Sequence, residues 1–353
     1  MIKTILGPPG CGKTQTNSNL IRNCIEDGID PDRIACVSFT RKAATESKNR
    51  VCNDWGLEED MLPYFRTLHS MAFLAGGYKS AEVMSGKDLK LIGDEIGIAF
   101  GRQKSSDIET DFDQLGQAEG DFYLGLYHRG RSEMLSLEDA YQKHGSHHLH
   151  WSELRRLVDA YEDYKRVNGK IDFADMIETF VERQVPLDIE ALFVDEAQDL
   201  STLQWKMVDI LRDTPHIQVF TGDDDQAIMG FQGADVEAFM AATKEKEVLS
   251  QSYRVPKEPW REACNIASRI AGREHKDWMP TSEDGFVQSH QDIWDVPLEE
   301  GNWCIMARTN RIASTYANVL KEDGWIYRRF GKPSIPTKMY EAILDWERLC
   351  KGD

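Results

Sequence analysis

Gly7-Pro8-Pro9-Gly10-Cys11-Gly12-Lys13-Thr14 constrains this chain more than any other stretch, because it fits GxxxxGK[ST] between an apolar run, Ile2 to Leu6, and a helical stretch. The pattern folds as strand, loop and helix. Its glycines let the loop wrap so that consecutive backbone N–H groups point inward, and the N-terminal end of the following helix adds partial positive charge. The result is a cradle for phosphate, walled by Gly7, Pro8, Gly10, Cys11 and Gly12. Within it Lys13 is expected to neutralise the β- and γ-phosphates, and the Thr14 hydroxyl to coordinate magnesium. The Cys11 thiol needs no redox role to be accommodated there.

Further short apolar runs, Ile34 to Phe39, Ala191 to Val194, Ile217 to Thr221 and Val248 to Leu249, alternate with helical stretches. This is the rhythm of an α/β fold with a parallel sheet and crossover helices. The gap between the second and third runs is too long for a connection and must hold an inserted domain. That insert reads as helical, with an amphipathic stripe at Leu154, Leu157, Val158, Tyr161 and Tyr164 and a polar loop from Gly101 to Gly120. A second α/β unit is expected after Pro256: Trp260 to Ile270 as helix, Trp303 to Ala307 as strand, Ile312 to Leu320 as helix and Trp325 to Arg328 as strand. The expected domains are thus 1–79 with 170–256, an inserted helical part at 80–169, and 257–353.

At 353 residues the chain is long enough for more than one core. No apolar run is long enough to cross a bilayer and no secretory leader opens the chain, so a soluble, cytoplasmic protein is expected. Seven scattered cysteines without a CxxC pair argue against a disulfide framework or a zinc site. The closely spaced His144, His147, His148 and His150 lack cysteines or acids at ligand spacing and read as a polar connection. A net charge of −18 confines any nucleic-acid site to local basic clusters such as Arg41, Lys42, Lys48 and Arg50, or Arg308, Arg311, Arg328 and Arg329. Taken alone, each cluster reads better as a solvated helix face.

Asp195 and Glu196 close the apolar run Ala191 to Val194, at the strand end where open parallel sheets bind ligands. Asp195 is placed to hold magnesium, and Glu196 to orient and deprotonate an attacking water. Acids at a helix N-terminus would look alike, but the phosphate loop upstream favours the chemical reading. The next run ends in Gly222-Asp223-Asp224-Asp225-Gln226, where the Gln226 amide can sense a γ-phosphate. Arg254 can stabilise charge on a transferring phosphate, and Tyr253 beside it can stack on a base.

Together these stretches resemble the UvrD/Rep/PcrA type of superfamily 1 DNA helicases. Gly7 to Thr14 matches motif I; Val37 to Ala44 resembles motif Ia, and Thr67-Leu68-His69-Ser70 the TxH segment. Val194 to Asp199 is the DEAQD form of motif II, Gly222 to Ala234 resembles motif III, and Gln251 to Arg254 motif IV. Tyr161 to Met176 is similar to the return from the family's inserted domain, and Ala307 to Asn310 to the start of its second RecA-like domain. The resemblance implies a RecA-like P-loop NTPase sheet with an inserted helical subdomain and the start of a second RecA-like domain. It implies ATP and Mg2+ held by Lys13, Thr14, Asp195, Glu196, Gln226 and Arg254, with Tyr253 on adenine. Single-stranded DNA or a single/double-strand junction would lie along Phe39, Thr40, Arg41, Thr67, His69 and Phe231, and movement would run 3′ to 5′. Core packing is the competing reading for Phe39.

Three departures qualify the expectation. Met229 and Gln232 stand where the family offers an aromatic and an arginine around Phe231, which predicts weaker or displaced DNA contacts. No glutamine precedes Gly7 to select adenine. Tyr340 to Cys350 resembles the way out of the first part of the second motor domain, and nothing like motifs V and VI comes after it. The resemblance therefore implies that a C-terminal portion or a partner chain completes the motor. A nucleotide- and DNA-binding regulatory or split subunit is the alternative; a small-molecule kinase has no need of the DEAQD and GDDDQ segments.

Overall fold

Six of the apolar or extended segments assemble into one fully parallel sheet in a computed structural model that describes residues 1–101, 118–147 and 149–351. The strands are β1 (Ile2–Leu6), β2 (Ile34–Ser38), β3 (Phe65–Arg66), β4 (Ala191–Asp195), β5 (Ile217–Gly222) and β6 (Lys246–Val248), in the order β3-β2-β4-β5-β1-β6. Central strands of a sheet covered on both faces must be apolar throughout, and β2 and β4 are buried at every position. The last strand begins two residues earlier than its apolar residues suggest, because the exposed Lys246 and Glu247 still pair at the sheet edge.

Alternation of side chains along β4 divides the core. Ala191 and Phe193 join Ile5, Cys36 and Val219 under α1 (Lys13–Glu26) and α2 (Arg41–Trp55). Leu192 and Val194 join Leu6, Val37 and Phe220 on the opposite face. That face is covered by α3 (Leu68–Ala75), and further along by Phe173–Arg183 and Thr202–Leu211.

Register places the functional segments. Leu6 is level with Gly222 and Val248, and Ser38 with Asp195. The loops leaving β1, β2, β4, β5 and β6 therefore emerge along one C-terminal edge of the sheet. Across that edge the segments run Thr67, Phe39, Glu196, Asp223, Gly7 and Leu249 in spatial order.

The insert comprises α4 (Gly86–Ile96), α5 (Glu119–Ser132), α6 (Leu137–His144) and α7 (Trp151–Asn168). Leu154, Leu157, Val158 and Tyr161 of the expected stripe are buried with Leu89, Ile92, Tyr123 and Leu124 in a separate core. Most of the expected loop between Gly101 and Gly120 lies outside the described residues, as does His148, while Gly120 belongs to α5. Where the chain leaves and rejoins the sheet domain, Met84 N donates to Ile171 O and Ile171 N to Glu82 O, both at 2.8 Å. Beside this junction α8 (Phe173–Arg183) is capped by Asp172, whose carboxylate accepts from Arg131, Lys165 and the Tyr161 hydroxyl. Although burial opposes it, Arg131, His128 and Lys165 hold the Asp172 carboxyl well below the usual range. Arg131 also reaches Asp175 and Glu178, so α5 of the insert is tied to α8 of the sheet domain. Removing one partner from such a buried set typically costs about 3–5 kcal/mol.

Two compact units result, Met1–Phe286 and Val287–Asp353. Residues 257–286, grouped by sequence with the second unit, pack against the first: Ser252 N donates to Met279 O at 2.9 Å and Thr281 N to Val255 O at 2.9 Å. This stretch includes α11 (Lys257–Ala267), which comes after α9 (Thr202–Leu211) and α10 (Val236–Ala241). The second unit carries α12 (Asn310–Glu322), a short hairpin of β7 (Arg328–Arg329) and β8 (Lys332–Pro333), and α13 (Thr337–Lys351). Phe330 and Gly331 both take positive φ (49° and 74°), the two-residue turn that suits the right-handed twist of a hairpin. Trp303 to Ala307, expected as a strand, pairs with no other strand among the described residues and is largely exposed. A strand needs a neighbour, and the described part of this unit offers it none.

Candidate active site

The phosphate loop begins at the end of β1, and its shape depends on small residues. Gly10 and Gly12 have φ of 72° and 86°, a region L side chains rarely adopt. A Cβ on Gly10 would also stand 2.4 Å from Cβ of Arg254. The reason for that closeness is topological. Because β6 lies beside β1, the segment after β6 runs over the loop: Ser252 Oγ donates to Pro9 O at 2.8 Å and Tyr253 N to Gly10 O at 2.9 Å. Tyr253 and Arg254 therefore stand exposed at the rim of the loop, although 243 positions separate Ser252 from Pro9 in sequence. Lys13 opens α1 and its Nζ donates to Gly7 O at 2.8 Å, with Thr14 next to it in the first helical turn. Cys11 is buried, and burial pushes its thiol up, away from the reactive thiolate.

Asp195 ends β4 and Glu196 follows it, two strands from the loop across β5. Glu196 takes a left-handed backbone (φ 50°), a strained conformation for a non-glycine residue and one that turns the chain sharply out of the strand. The chain then makes a single 3-10 turn, Ala197–Asp199, and not the α-helix start that would have explained the acids structurally. Burial, then the neighbouring Glu196, pushes the Asp195 carboxyl up to about 6, opposed by Lys13. The same two causes push Asp199 up to about 7. One cation, Lys13, thus acts on Asp195, Asp199 and Asp223 together.

Gln226 lies just after β5 and donates from Nε2 to Asp223 Oδ2 at 2.5 Å. Gln198, which the sequence offers as part of the DEAQD segment but with no role of its own, joins the strand ends. Its Nε2 donates to Glu196 Oε2 at 3.0 Å and to Asp199 Oδ2 at 3.3 Å, and its Oε1 accepts from Asp223 N at 3.0 Å. Only 2% of it is exposed, and a Cβ on Gly222 would come within 2.4 Å of that oxygen, so the amide is locked between the two acidic loops.

Of the residues expected along a nucleic acid, Phe39, Thr40, Arg41, Thr67 and His69 sit on the other side of β4, after β2 and β3, whereas Phe231 follows β5. Thr40 and Thr67 cap α2 and α3, accepting from Ala43 N and Ser70 N at 3.2 Å each. Thr67 is 2% exposed, Arg41 is exposed, and Phe39 packs partly against the core. His69 meets Phe173 edge-on with ring centroids 5.3 Å apart. Phe39 and His69 share a cavity of about 130 Å³ with Asp199, Gln204 and Gln232. Phe231, on the turn preceding Gln232, is 36% exposed, and that turn is tied to the insert by Arg129 Nη2 donating to Gly230 O at 3.2 Å. Of the expected histidine cluster, His144 pairs with Glu133 at 2.9 Å.

The Asp199 Oδ1 atom is buried without a hydrogen-bond partner among the described residues. Its carboxyl holds a proton up to about pH 7 in the folded chain. In the unfolded chain it loses that proton near pH 4. The contribution of this carboxyl to stability therefore falls as pH rises from about 4 to 7 and stays lower above. Asp199→Asn, which mimics the protonated form, is expected to melt about 2–4 °C higher than the unaltered chain at pH 8, without nucleotide or divalent cations, and to lose that advantage at pH 4. Thermal melts at the two pH values check this; an Asn variant melting lower at pH 8 contradicts it.

A family model for the UvrD/REP helicase N-terminal domain matches residues 3–247. The chain is 28% identical over 247 residues to YjcD of Bacillus subtilis (strain 168), covering 65% of the chain and 31% of that protein. It is 24% identical over 354 residues to the ATP-dependent DNA helicase PcrA of the same organism, covering 93% of the chain and 46% of PcrA. With PcrA of Staphylococcus epidermidis (strain ATCC 35984) it shares 25% over 308 residues, 81% of the chain and 41% of that protein. The chain thus spans less than half of each of these relatives. The sheet order, the loop after β1 and the acids after β4 fall inside the stretch that the family model covers, and the chain belongs to the UvrD/REP helicase N-terminal domain family.

Proposed function

We propose that this chain forms the ATP-binding and ATP-hydrolysing part of a superfamily 1 DNA helicase or translocase that tracks single-stranded DNA 3′ to 5′. The observation that carries the reading is the shared sheet edge. Phosphate-binding groups come after β1, β5 and β6, Phe39, Thr40, Thr67 and His69 after β2 and β3, and Glu196 with Gln198 stands between them, while Phe231 comes after β5. A helicase motor needs those two halves in mechanical contact. Naming of the PcrA relatives as ATP-dependent DNA helicases supports the same reading.

Lys13 and the N–H groups of the loop bind the β- and γ-phosphates of the substrate ATP, and Tyr253 covers its base from the exposed rim. Glu196, held by Gln198, orients the attacking water and takes its proton; Gln226 meets the γ-phosphate and Arg254 offsets its developing charge. Magnesium fits the residues present. The buried Asp195 carboxylate lacks a full counter-charge and Thr14 adds a hydroxyl, while no set of three ligating side chains exists among the described residues. Such sparse protein ligation suits an ion shared with substrate phosphates. Asp195 and Thr14 would hold it, and it would supply charge neutralisation on the β- and γ-oxygens.

Phe39, Thr40, Arg41, Thr67, His69 and Phe231 line the path of the single strand or of a single/double-strand junction, with Phe39, His69 and Phe231 offering ring faces for stacking. We read 1–79 with 170–256 as the first RecA-like domain, 80–169 as the inserted subdomain and 257–353 as part of a second, whose opening stretch 257–286 packs with the first compact unit. No helix among the described residues is long and apolar enough to cross a membrane, in keeping with work in the cytoplasm.

The test is ATP turnover by the purified chain with and without a single-stranded oligonucleotide. Stimulation of about tenfold or more, reduced in Phe231→Ala, is the expected result. Equal rates with and without DNA remove the DNA-tracking half of the proposal. ATP binding without turnover, restored by a second polypeptide, favours the regulatory or split-subunit reading instead.

A further inference from the structure

Lys276 is a buried cation that none of the chemistry above uses. Its side chain is 0% exposed, and its Nζ lies 3.1 Å from Asp223 and 3.0 Å from Asp225 and also pairs with Asp224. The three consecutive acids after β5 thus converge on one ammonium group. Arg273 completes the cluster from outside, with Nε and Nη2 each donating to Asp225 at 2.6 Å, and Glu274 N donates to Asp224 Oδ2 at 2.7 Å. The lysine is held firmly. Three residues on, Met279 exchanges backbone hydrogen bonds with Ser250 and Ser252, on the strip that reaches the phosphate loop.

Of the three acids, Asp223 faces the site. Its Oδ2 accepts from Gln226 Nε2, and its backbone N–H donates to Gln198, which holds Glu196. We propose that Lys276 is a positioning residue for the γ-phosphate end of the site: by fixing Asp223 it sets the amide of Gln226 and, through Gln198, the carboxylate of Glu196. The inference rests on the reading that Gln226 meets the γ-phosphate. A purely structural staple would be equally buried, but it would not distinguish a triphosphate from a diphosphate. A positioning residue does, because only the triphosphate reaches Gln226. Arg273 provides the contrast, since it bonds Asp225 and not Asp223. Charge is what the position needs: burial alone would favour protonating Asp223, and Gln226 and Lys276 oppose that.

The experiment compares affinities for ADP and for a non-hydrolysable ATP analogue, both with magnesium, and then kcat and KM for ATP. Lys276→Met is expected to lower the preference for the triphosphate and kcat by about tenfold or more while ADP affinity stays within about twofold. Lys276→Arg should recover part of the preference, and Arg273→Ala should keep it. Should Lys276→Met fail to fold, the pair Lys276→Gln with Asp224→Asn removes one charge of each sign and should show the same selective loss. Folded Lys276 variants that keep the preference, or that lose ADP and triphosphate binding equally, overturn the positioning role. Gln226→Ala separates the two levels. If it loses the preference while the Lys276 variants keep it, only the role of Lys276 falls; if it has no effect, the reading of Gln226 falls and the inference with it.

Discussion

Lys13→Ala is expected to leave a folded chain that no longer hydrolyses ATP. The structural cost is small, because Lys13 is partly exposed at the start of α1 and, among the described residues, its ammonium makes one hydrogen bond, to the Gly7 carbonyl. The functional cost is large. Lys13 acts on Asp195, Asp199 and Asp223, and of these Asp223 is also held by Lys276, so without Lys13 a triphosphate meets Asp195 and Asp199 with no compensating charge in the loop. Loss of one such preorganised charge typically lowers kcat by about 10²–10³. Weaker nucleotide binding adds to that, and turnover should fall to background. Phosphate release assays on the variant, with a thermal melt to show folding, decide the point; turnover within tenfold of the unaltered chain would remove Lys13 from the chemistry.

Glu196→Gln separates binding from chemistry. The substitution keeps length and shape, and the new side-chain oxygen can still accept from Gln198 Nε2, so the loop after β4 should hold its geometry. The left-handed backbone at 196 is strained equally for either residue. What is lost is the capacity to take a proton, together with the negative charge that helps push Asp195 and Asp199 up. General-base removal is worth about 10²–10⁴ in rate. Affinity for ATP should change by no more than a few-fold, giving a variant that holds ATP without consuming it. A Glu196→Gln chain that turns over ATP normally would assign the base elsewhere, and Asp199 would be the first candidate, since both acids bond the same Gln198 amide.

Much of this arrangement is legible in sequence because it is local. A glycine-rich loop between strand and helix, and two acids closing a buried strand, are encoded within about ten residues, and parallel packing then brings the strand ends level. The insert shows as a gap too long for a connection. What escapes is either too short or too distant. A two-residue edge strand such as Phe65–Arg66 has no period to detect, and Trp303 to Ala307 has the composition of a strand without a neighbour to pair with among the described residues. Gln198 falls inside the DEAQD segment, but its link to the loop after β5 shows only once β4 and β5 lie side by side. Lys276 and Arg273 meet the acids after β5 across about fifty residues, and no local pattern announces them. One clue existed: three consecutive acids at the end of a buried strand cannot all be left without a cation.

If the edge formed by β1, β4 and β5 is a nucleoside triphosphate site, the purified chain must bind ATP there. Calorimetric titration with ATP and magnesium tests this most directly. The expected result is saturable binding at a single site per chain, weakened about a hundredfold or more in Lys13→Ala and little changed in Glu196→Gln. No heat of binding from the unaltered chain, or equal affinity in the Lys13→Ala chain, would contradict it.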